Sequence, residues 1–268
     1  MFGAFQGRLS KSPNGQLQWF PQDCWQEEFY KCERLNLDFI ELLDERSYNP
    51  NNPIWSSSGR DEIKRVASET NRVLYSSCTN YTIDNSLLRE FTLDHIFNYL
   101  EVSEDLECKI VVIALMERSS VTKSNFDNYV SVIKQLCNST SLTICLESFR
   151  DHKLIGSLID EVGADNLKCV FDTGNRSVSK NLSEEILFLG DRIGHIHLKD
   201  KNKKGENVYL GTGKVNFYEV FESLAKINYN GSFVFESVRG TDPEKTMSYN
   251  MSFSKFFKSE IDKITDIN

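Results

Sequence analysis

Residues 193–199 read Ile193-Gly194-His195-Ile196-His197-Leu198-Lys199, and this alternation decides how the rest of the chain is read. Side chains two apart on a strand share a face, so His195, His197 and Lys199 stand on one side and Ile196 and Leu198 on the other. Leu142-Thr-Ile-Cys-Leu-Glu147 repeats the arrangement, with Thr143, Cys145 and Glu147 opposite Ile144 and Leu146. An aliphatic face suits helices packed outside, which leaves the polar face turned inward. Ser232-Phe-Val-Phe-Glu236 is apolar on both faces up to its terminal Glu236 and discriminates less.

Comparable β-rich runs begin at residues 3, 38, 73, 109, 142, 168, 193 and 232, giving steps of 35, 35, 36, 33, 26, 25 and 39 residues. Each step leaves room for a helix, the rhythm of parallel β/α units. Segments starting at Trp25, Phe126 and Phe217 carry apolar residues three and four apart, the stripe of a helix lying on a sheet. Asn216 with Glu219 resembles a capping box, and Asp242 before Pro243 is a cap residue ahead of a first-turn proline. Eight such units form either an open doubly wound sheet or a closed barrel. The first turn, Gln6-Gly7-Arg8-Leu9-Ser10, lacks G-x-G-x-x-G, which removes the main support for a dinucleotide-binding open sheet. The expected fold is a single (β/α)8 TIM barrel of parallel strands spanning residues 1–268 as one domain, with its site at the C-terminal end of the strands.

With 268 residues, 31 Lys+Arg and 39 Asp+Glu, the formal charge is −8 and the pI about 5.2. No basic patch offsets that sign, which argues against a nucleic-acid partner. The longest apolar run, Ile110 to Met116, is far short of the roughly 18 residues a membrane span requires. The opening MFGAFQGRLS does not read as a secretory signal, so a cytoplasmic protein is expected. The seven Cys form no C-x-x-C pair and sit beside apolar residues, as buried reduced thiols do.

In a barrel the chemistry is carried at the C-terminal strand ends. Here those ends hold Gln6, Glu41, Cys78 with Asn80, Glu117, Glu147, Asp172, His197 with Lys199, and Glu236. Strand ends are commonly polar, so one or two carboxylates carry little meaning. A group able to bind a metal on each of the last four strands carries more. Buried together without a counter-ion, such charges would cost several kcal/mol each, and a divalent cation would relieve them. Glu41 and Glu117 are read equally well as solvated strand ends or as substrate contacts. His195, one layer deeper than His197, reads as a hydrogen-bonded inner histidine. His95 and His152, in helical segments, read as surface residues. Gly211-Thr-Gly213 reads most simply as a loop turn, with a phosphate cradle as the alternative.

Glu147 in CLESF, Asp172 in VFDTGN, His197 in HIHLKD and Glu236 in FVFES resemble, in order and context, the metal set of the xylose-isomerase-like TIM-barrel superfamily. The opening GAFQGRLS, the FPQDCW stretch and LGTGKVNF from Leu210 are similar to its sugar phosphate isomerase/epimerase group. The resemblance implies Glu147, Asp172, His197 and Glu236 as metal ligands and Glu147 with Glu236 as an acid/base pair. One imidazole and three carboxylates suit Mn²⁺ or Mg²⁺, with Co²⁺ or Zn²⁺ as alternatives. Such an ion acidifies the hydrogen beside a substrate carbonyl, so the expected activity is isomerisation or epimerisation of a sugar or sugar phosphate through an enediolate.

Arg8, Lys199 and Arg239 are candidates for a substrate phosphate or carboxylate, although Lys199 could instead neutralise Asp200 or Glu236. Gln6, Glu41, Asn80, Glu117 and Asn175 are candidates for hydroxyl contacts, and Trp55 or Phe149 for packing on a sugar face. Ketose epimerases tend to carry His three residues after the metal-binding Asp, where this chain has Asn175. Within the superfamily, inosose-type dehydration remains open, because it begins with the same proton abstraction. The DNA-repair endonuclease reading is poor with four His and a charge of −8. A barrel that binds carbohydrate or a partner through a degenerate site is the non-enzymatic alternative. The expected ligand is a small carbohydrate, with no membrane or nucleic-acid partner and a homodimer left open.

Overall fold

Eight strands close on one another in a computed structural model that describes residues 1–149, 151–179 and 181–265. They are β1 (Phe2–Phe5), β2 (Phe39–Asp44), β3 (Ser76–Thr79), β4 (Ile110–Ala114), β5 (Thr143–Glu147), β6 (Leu167–Asp172), β7 (Ile193–Leu198) and, after a short hairpin of β8 (Asp200–Lys201) and β9 (Asn207–Val208), β10 (Ser232–Phe235). All eight barrel pairings are parallel, running β1-β10-β7-β6-β5-β4-β3-β2. The fold is a single closed (β/α)8 barrel. Apart from Thr143, Lys168 and Gly194, every barrel-strand residue is buried. Covering both faces of a parallel sheet demands such sequences, and full burial of a side chain like Ile196 stabilises by about 1.5–3 kcal/mol.

The helices are α1 (Trp25–Arg34), α2 (Ser57–Glu69), α3 (Tyr81–Asp84), α4 (Glu90–Asp105), α5 (Phe126–Ser139), α6 (His152–Val162), α7 (Leu182–Leu189), α8 (Phe217–Lys226) and α9 (Pro243–Thr265). On α8, Phe217, Val220, Phe221 and Leu224 are buried, the i, i+3, i+4, i+7 stripe its sequence predicts. The Asn216 side chain accepts from the Glu219 N–H, and the Asp242 carboxylate accepts from the Lys245 N–H, so both expected helix starts carry their caps. At the far end of α6, Gly163 adopts φ 66° and its N–H returns to the Ile159 carbonyl, a left-handed stop that glycine makes at little steric cost.

Register positions the site. Asp172 on β6 stands level with His197 on β7, above a register shift at Cys169/Val170, and His197 stands level with Val234 on β10. Glu147, the last residue of β5, pairs with Val170. Glu236 follows directly after β10. Four donors far apart in the chain therefore reach one end of one barrel.

Candidate functional site

Among the described residues, one donor atom each from Glu147, Asp172, His197 and Glu236 lies within 4.8 Å of all the others, and all four side chains are buried. His197 Nδ1 is 3.2 Å from Glu236 Oε2 and 3.9 Å from Glu147 Oε1. Neither His197 Nδ1 nor Glu236 Oε2 has a partner in hydrogen-bond geometry. Orphaned buried polar atoms are rare and call for an explanation. Here the orphans face each other across a cluster of three carboxylates and an imidazole, and that donor set fits a hard, oxygen-preferring divalent ion.

Beneath the cluster, a polar chain runs through the barrel interior. The Ser232 hydroxyl meets His195 Nδ1 at 2.6 Å, His195 Nε2 meets Glu41 Oε2 at 2.8 Å, and the Ser76 hydroxyl donates to that same oxygen at 2.7 Å. The other oxygen, Glu41 Oε1, lies 2.9 Å from His197 Nε2. Burial alone would raise the Glu41 pKa, but the two imidazoles pull it well below the ordinary carboxylate value. Burial likewise disfavours a charged His197, yet Glu41, with Glu236 and Glu147, raises its pKa well above the usual value. A carboxylate on the far nitrogen of an imidazole fixes the ring and directs the near nitrogen outward, in this case Nδ1 toward the cluster. Glu41 is fully buried, with both oxygens facing inner groups, so the reading of it as a solvated strand end does not hold. His195 is the hydrogen-bonded inner histidine that its depth in the strand implies.

The two glutamates occupy opposed environments. Burial and the charges of Glu236 and Asp172 push Glu147 up to about 8, against the pull of His197. Glu236, equally buried, is held well below the ordinary value by Lys199, His197 and Arg8. Burial would strip Lys199 of its proton, but Asp172, Glu236 and Glu147 raise its pKa instead. Its ammonium lies 2.8 Å from Asp172 Oδ2 and 2.7 Å from Glu236 Oε2. Of the two partners weighed for Lys199, Glu236 is met and Asp200 is not, while Asp172 is an addition.

The loop between β1 and α1 closes over this end of the barrel. Arg8 donates to the Leu17 carbonyl at 2.6 Å and to Gln18 Oε1 at 2.8 Å, and reaches Glu236 Oε1 at 3.4 Å. Gln18 Nε2 donates to that same Glu236 oxygen at 2.7 Å. Arg239 donates to the Gly7 and Gln16 carbonyls, with burial and neighbouring Arg8 lowering its pKa to about 10. Gly7 permits the closure: at φ 86°, an added Cβ would come within 2.1 Å of the Trp19 carbonyl oxygen. Glu28 on α1 accepts from the Gly7 and Leu9 N–H groups at 2.6 and 3.0 Å. Gln18 and Glu28 carry no sequence signal, since one lies in an aperiodic loop and the other in an ordinary helical turn.

The remaining candidates divide. Asn175 Nδ2 lies 3.0 Å from Asp172 Oδ2 and 3.3 Å from Glu147 Oε1, while its Oδ1 accepts from Lys201 at 2.8 Å. Asn80 is buried with an unpartnered Nδ2. Gln6 is buried, with its Oε1 accepting from the Leu43 N–H at 2.9 Å. Glu117 is not part of the cluster: it sits on an exposed turn at φ 44° and pairs with Arg46 at 3.3 Å. His95 and His152 are not surface residues. The His95 ring bonds Asp44 at 2.9 Å and stacks on Tyr81 with centroids 3.8 Å apart, and His152 packs edge-on to Phe188. Trp55 packs against His95, Tyr48 and Tyr99, whereas Phe149 is exposed. The Gly211–Gly213 turn is a loop turn whose amides are occupied, because Asp200 accepts from the Gly211, Gly213 and Val215 N–H groups.

Comparison with known proteins agrees with this architecture. An L-ribulose 3-epimerase of Methylomonas sp. is 34% identical over 82 residues, 30% of this chain and 27% of that protein. The chain thus spans under a third of that relative's length. The L-ribulose-5-phosphate 3-epimerase UlaE of Escherichia coli is 24% identical over 236 residues, covering 80% of this chain and 82% of the relative. Among solved structures, a xylose isomerase-like TIM barrel protein from Mycobacterium smegmatis in complex with magnesium superposes with a TM-score of 0.73 at 16% identity, over 96% of this chain and 97% of that one. The family described as xylose isomerase-like TIM barrel matches residues 29–256. With a closed eight-stranded barrel and a match across most of its length, the chain belongs to the xylose isomerase-like TIM-barrel family.

Proposed function

We propose that this protein is a divalent-metal-dependent epimerase or isomerase of a small sugar or sugar phosphate. The observation that carries this reading is the convergence of Glu147, Asp172, His197 and Glu236, one donor atom from each lying within 4.8 Å of the others, with His197 Nδ1 lacking a partner in hydrogen-bond geometry. The names of the epimerase relatives and the magnesium complex of a structural neighbour support it. Those four side chains would hold Mn²⁺ or Mg²⁺, and the ion would polarise a substrate carbonyl and stabilise the negative charge that develops on its oxygen.

The chain's own residues do the rest. A general acid and a general base at neutral pH are best supplied by two carboxyl groups whose environments drive their pKa values apart. Glu147 and Glu236, which stand in different electrostatic surroundings within one cluster, are the two carboxyl groups placed for those roles. Glu236 would remove the hydrogen beside the carbonyl and Glu147 would return one. Return to the same carbon from the other side inverts it, and return to the neighbouring carbon exchanges aldose for ketose. Glu41 keeps the His197 ring oriented, Gln18 and Arg8 hold Glu236 Oε1, Asn175 ties Asp172 to Glu147 through its amide, and Asn80 offers an amide donor to a substrate hydroxyl. The test is exchange of the α-hydrogen in deuterated water across a panel of ketoses and their phosphates with Mn²⁺. Ion-dependent deuterium uptake is expected on at least one sugar. No uptake on any of them, together with no bound ion, overturns the reading.

A further inference from the structure

One cation already stands among the acids of the site. Lys199 Nζ contacts Asp172 Oδ2 and Glu236 Oε2, and both side chains belong to the four-donor cluster. Local structure holds the lysine there. Its stem lies across Gly174, where an added Cβ would come within 2.6 Å of Lys199 Cγ and 2.8 Å of its Cβ. The Thr173 hydroxyl accepts from the Lys199 N–H at 3.0 Å and donates to its carbonyl at 2.6 Å. The other cations nearby are used differently. Lys201 is half-buried and bonds Asn175 Oδ1, and Arg8 touches only the opposite oxygen of Glu236, at 3.4 Å.

We propose that Lys199 is a built-in counter-ion that competes with the divalent cation for Asp172 Oδ2 and Glu236 Oε2, so that loading the site requires this ammonium to leave them. The proposal rests on the metal-dependent reading above. The lone pair that a carboxylate oxygen gives to an ammonium is not available to a metal ion, and the two cations repel across the shared oxygen. A divalent ion among the same oxygens would sit within a few ångströms of that ammonium, inside a buried site where solvent and salt screen the repulsion poorly. A four-carbon stem with rotatable bonds allows the head group to swing away while the backbone stays clamped. The arrangement has two consequences. Without the ion, Asp172 and Glu236 are not left as uncompensated buried charges. Once the ion is bound, the displaced ammonium adds a positive charge at the mouth, where an anionic sugar oxygen or phosphate could meet it.

Isothermal titration with MnCl₂ and thermal unfolding with and without Mn²⁺ test this on the wild type, Lys199→Met and Lys201→Met. Lys199→Met is expected to bind Mn²⁺ at least about tenfold more tightly than the wild type, to melt at a lower temperature without the ion, and to gain more from its addition. Lys201→Met removes an equal charge that touches no cluster carboxylate, and is expected to stay within about threefold of the wild type. Should Lys199→Met not fold, Lys199→Gln is expected to bind more tightly and Lys199→Arg, which keeps the charge, no more tightly than the wild type. Equal or weaker binding in the charge-removing variants overturns the competition while leaving the metal reading intact. So does an equal gain in Lys201→Met. Absence of Mn²⁺ binding in every variant removes both.

Discussion

The two sides of the barrel mouth treat their acids in opposite ways. Where β2 and β3 end, the carboxylates are engaged separately, although Asp44 Oδ1 has no hydrogen-bond partner. Asp44 accepts from the Thr79 hydroxyl at 2.6 Å and meets His95 at 2.9 Å under a roof of Tyr81 and Trp55. Glu45 takes the amides of Asn49 and Asn52, and Glu117, after β4, takes Arg46. Where β5, β6, β7 and β10 end, Glu147, Asp172, His197 and Glu236 face one another instead, with His197 Nδ1, His197 Nε2 and Glu236 Oε2 outside hydrogen-bond geometry. A strand-end carboxylate is thus not itself a site. What distinguishes a site is the convergence of several such groups on one another, which a fold retains only where something else benefits.

The contrast makes a graded set of predictions. On the converging side, Glu147→Gln and Glu236→Gln are each expected to lower turnover by about 10²–10⁴-fold while far-UV circular dichroism stays unchanged. Near-normal turnover in either variant on an identified substrate would remove that residue from the acid/base pair. One layer below, Glu41→Gln is expected to weaken Mn²⁺ binding by about 10–100-fold, because an amide orients the His197 ring less firmly; titration calorimetry reads this, and an unchanged affinity would show that the ring needs no such support. Across the mouth, Asp44→Asn should cost about 1–3 kcal/mol of stability by unbalancing a buried pair. Thermal melting would show a drop of a few degrees while Mn²⁺ affinity holds. A loss of ion affinity there would mean the two sides are not independent. The smallest effect is expected at the rim, where Glu117→Gln breaks an exposed ion pair worth about 0–1 kcal/mol, and a large loss of turnover would return Glu117 to the site.

Why some of this was legible in the chain and some was not follows from range. Strand spacing, the α8 stripe and the Asn216 and Asp242 caps depend on neighbours within a few residues, and they appear where the sequence places them. The residues brought together at the mouth were legible because four strand ends of one kind follow in order. The errors have the opposite origin. His95 looks like a surface residue of a helix until β2 places Asp44 beneath it. Glu41 reads equally well as a solvated strand end or as a substrate contact, and only the structure shows it fully buried with His195 and His197 closing on it from across the barrel. Gln18 and Glu28 have no pattern, because a loop closing over a barrel mouth obeys no period.

The sequence by itself determined the repeating β/α rhythm, the barrel it closes into, and which strand ends carry acids and imidazoles, since these rest on periodicity and on the chemical type of single residues. Only the tertiary structure decided which acids meet a common point and which are neutralised where they stand, and only it set the Lys199 ammonium between Asp172 and Glu236. The physical reason is that electrostatic interactions depend on distance and burial between groups remote in the chain, and strand register together with loop closure creates those distances after the local rules have been met.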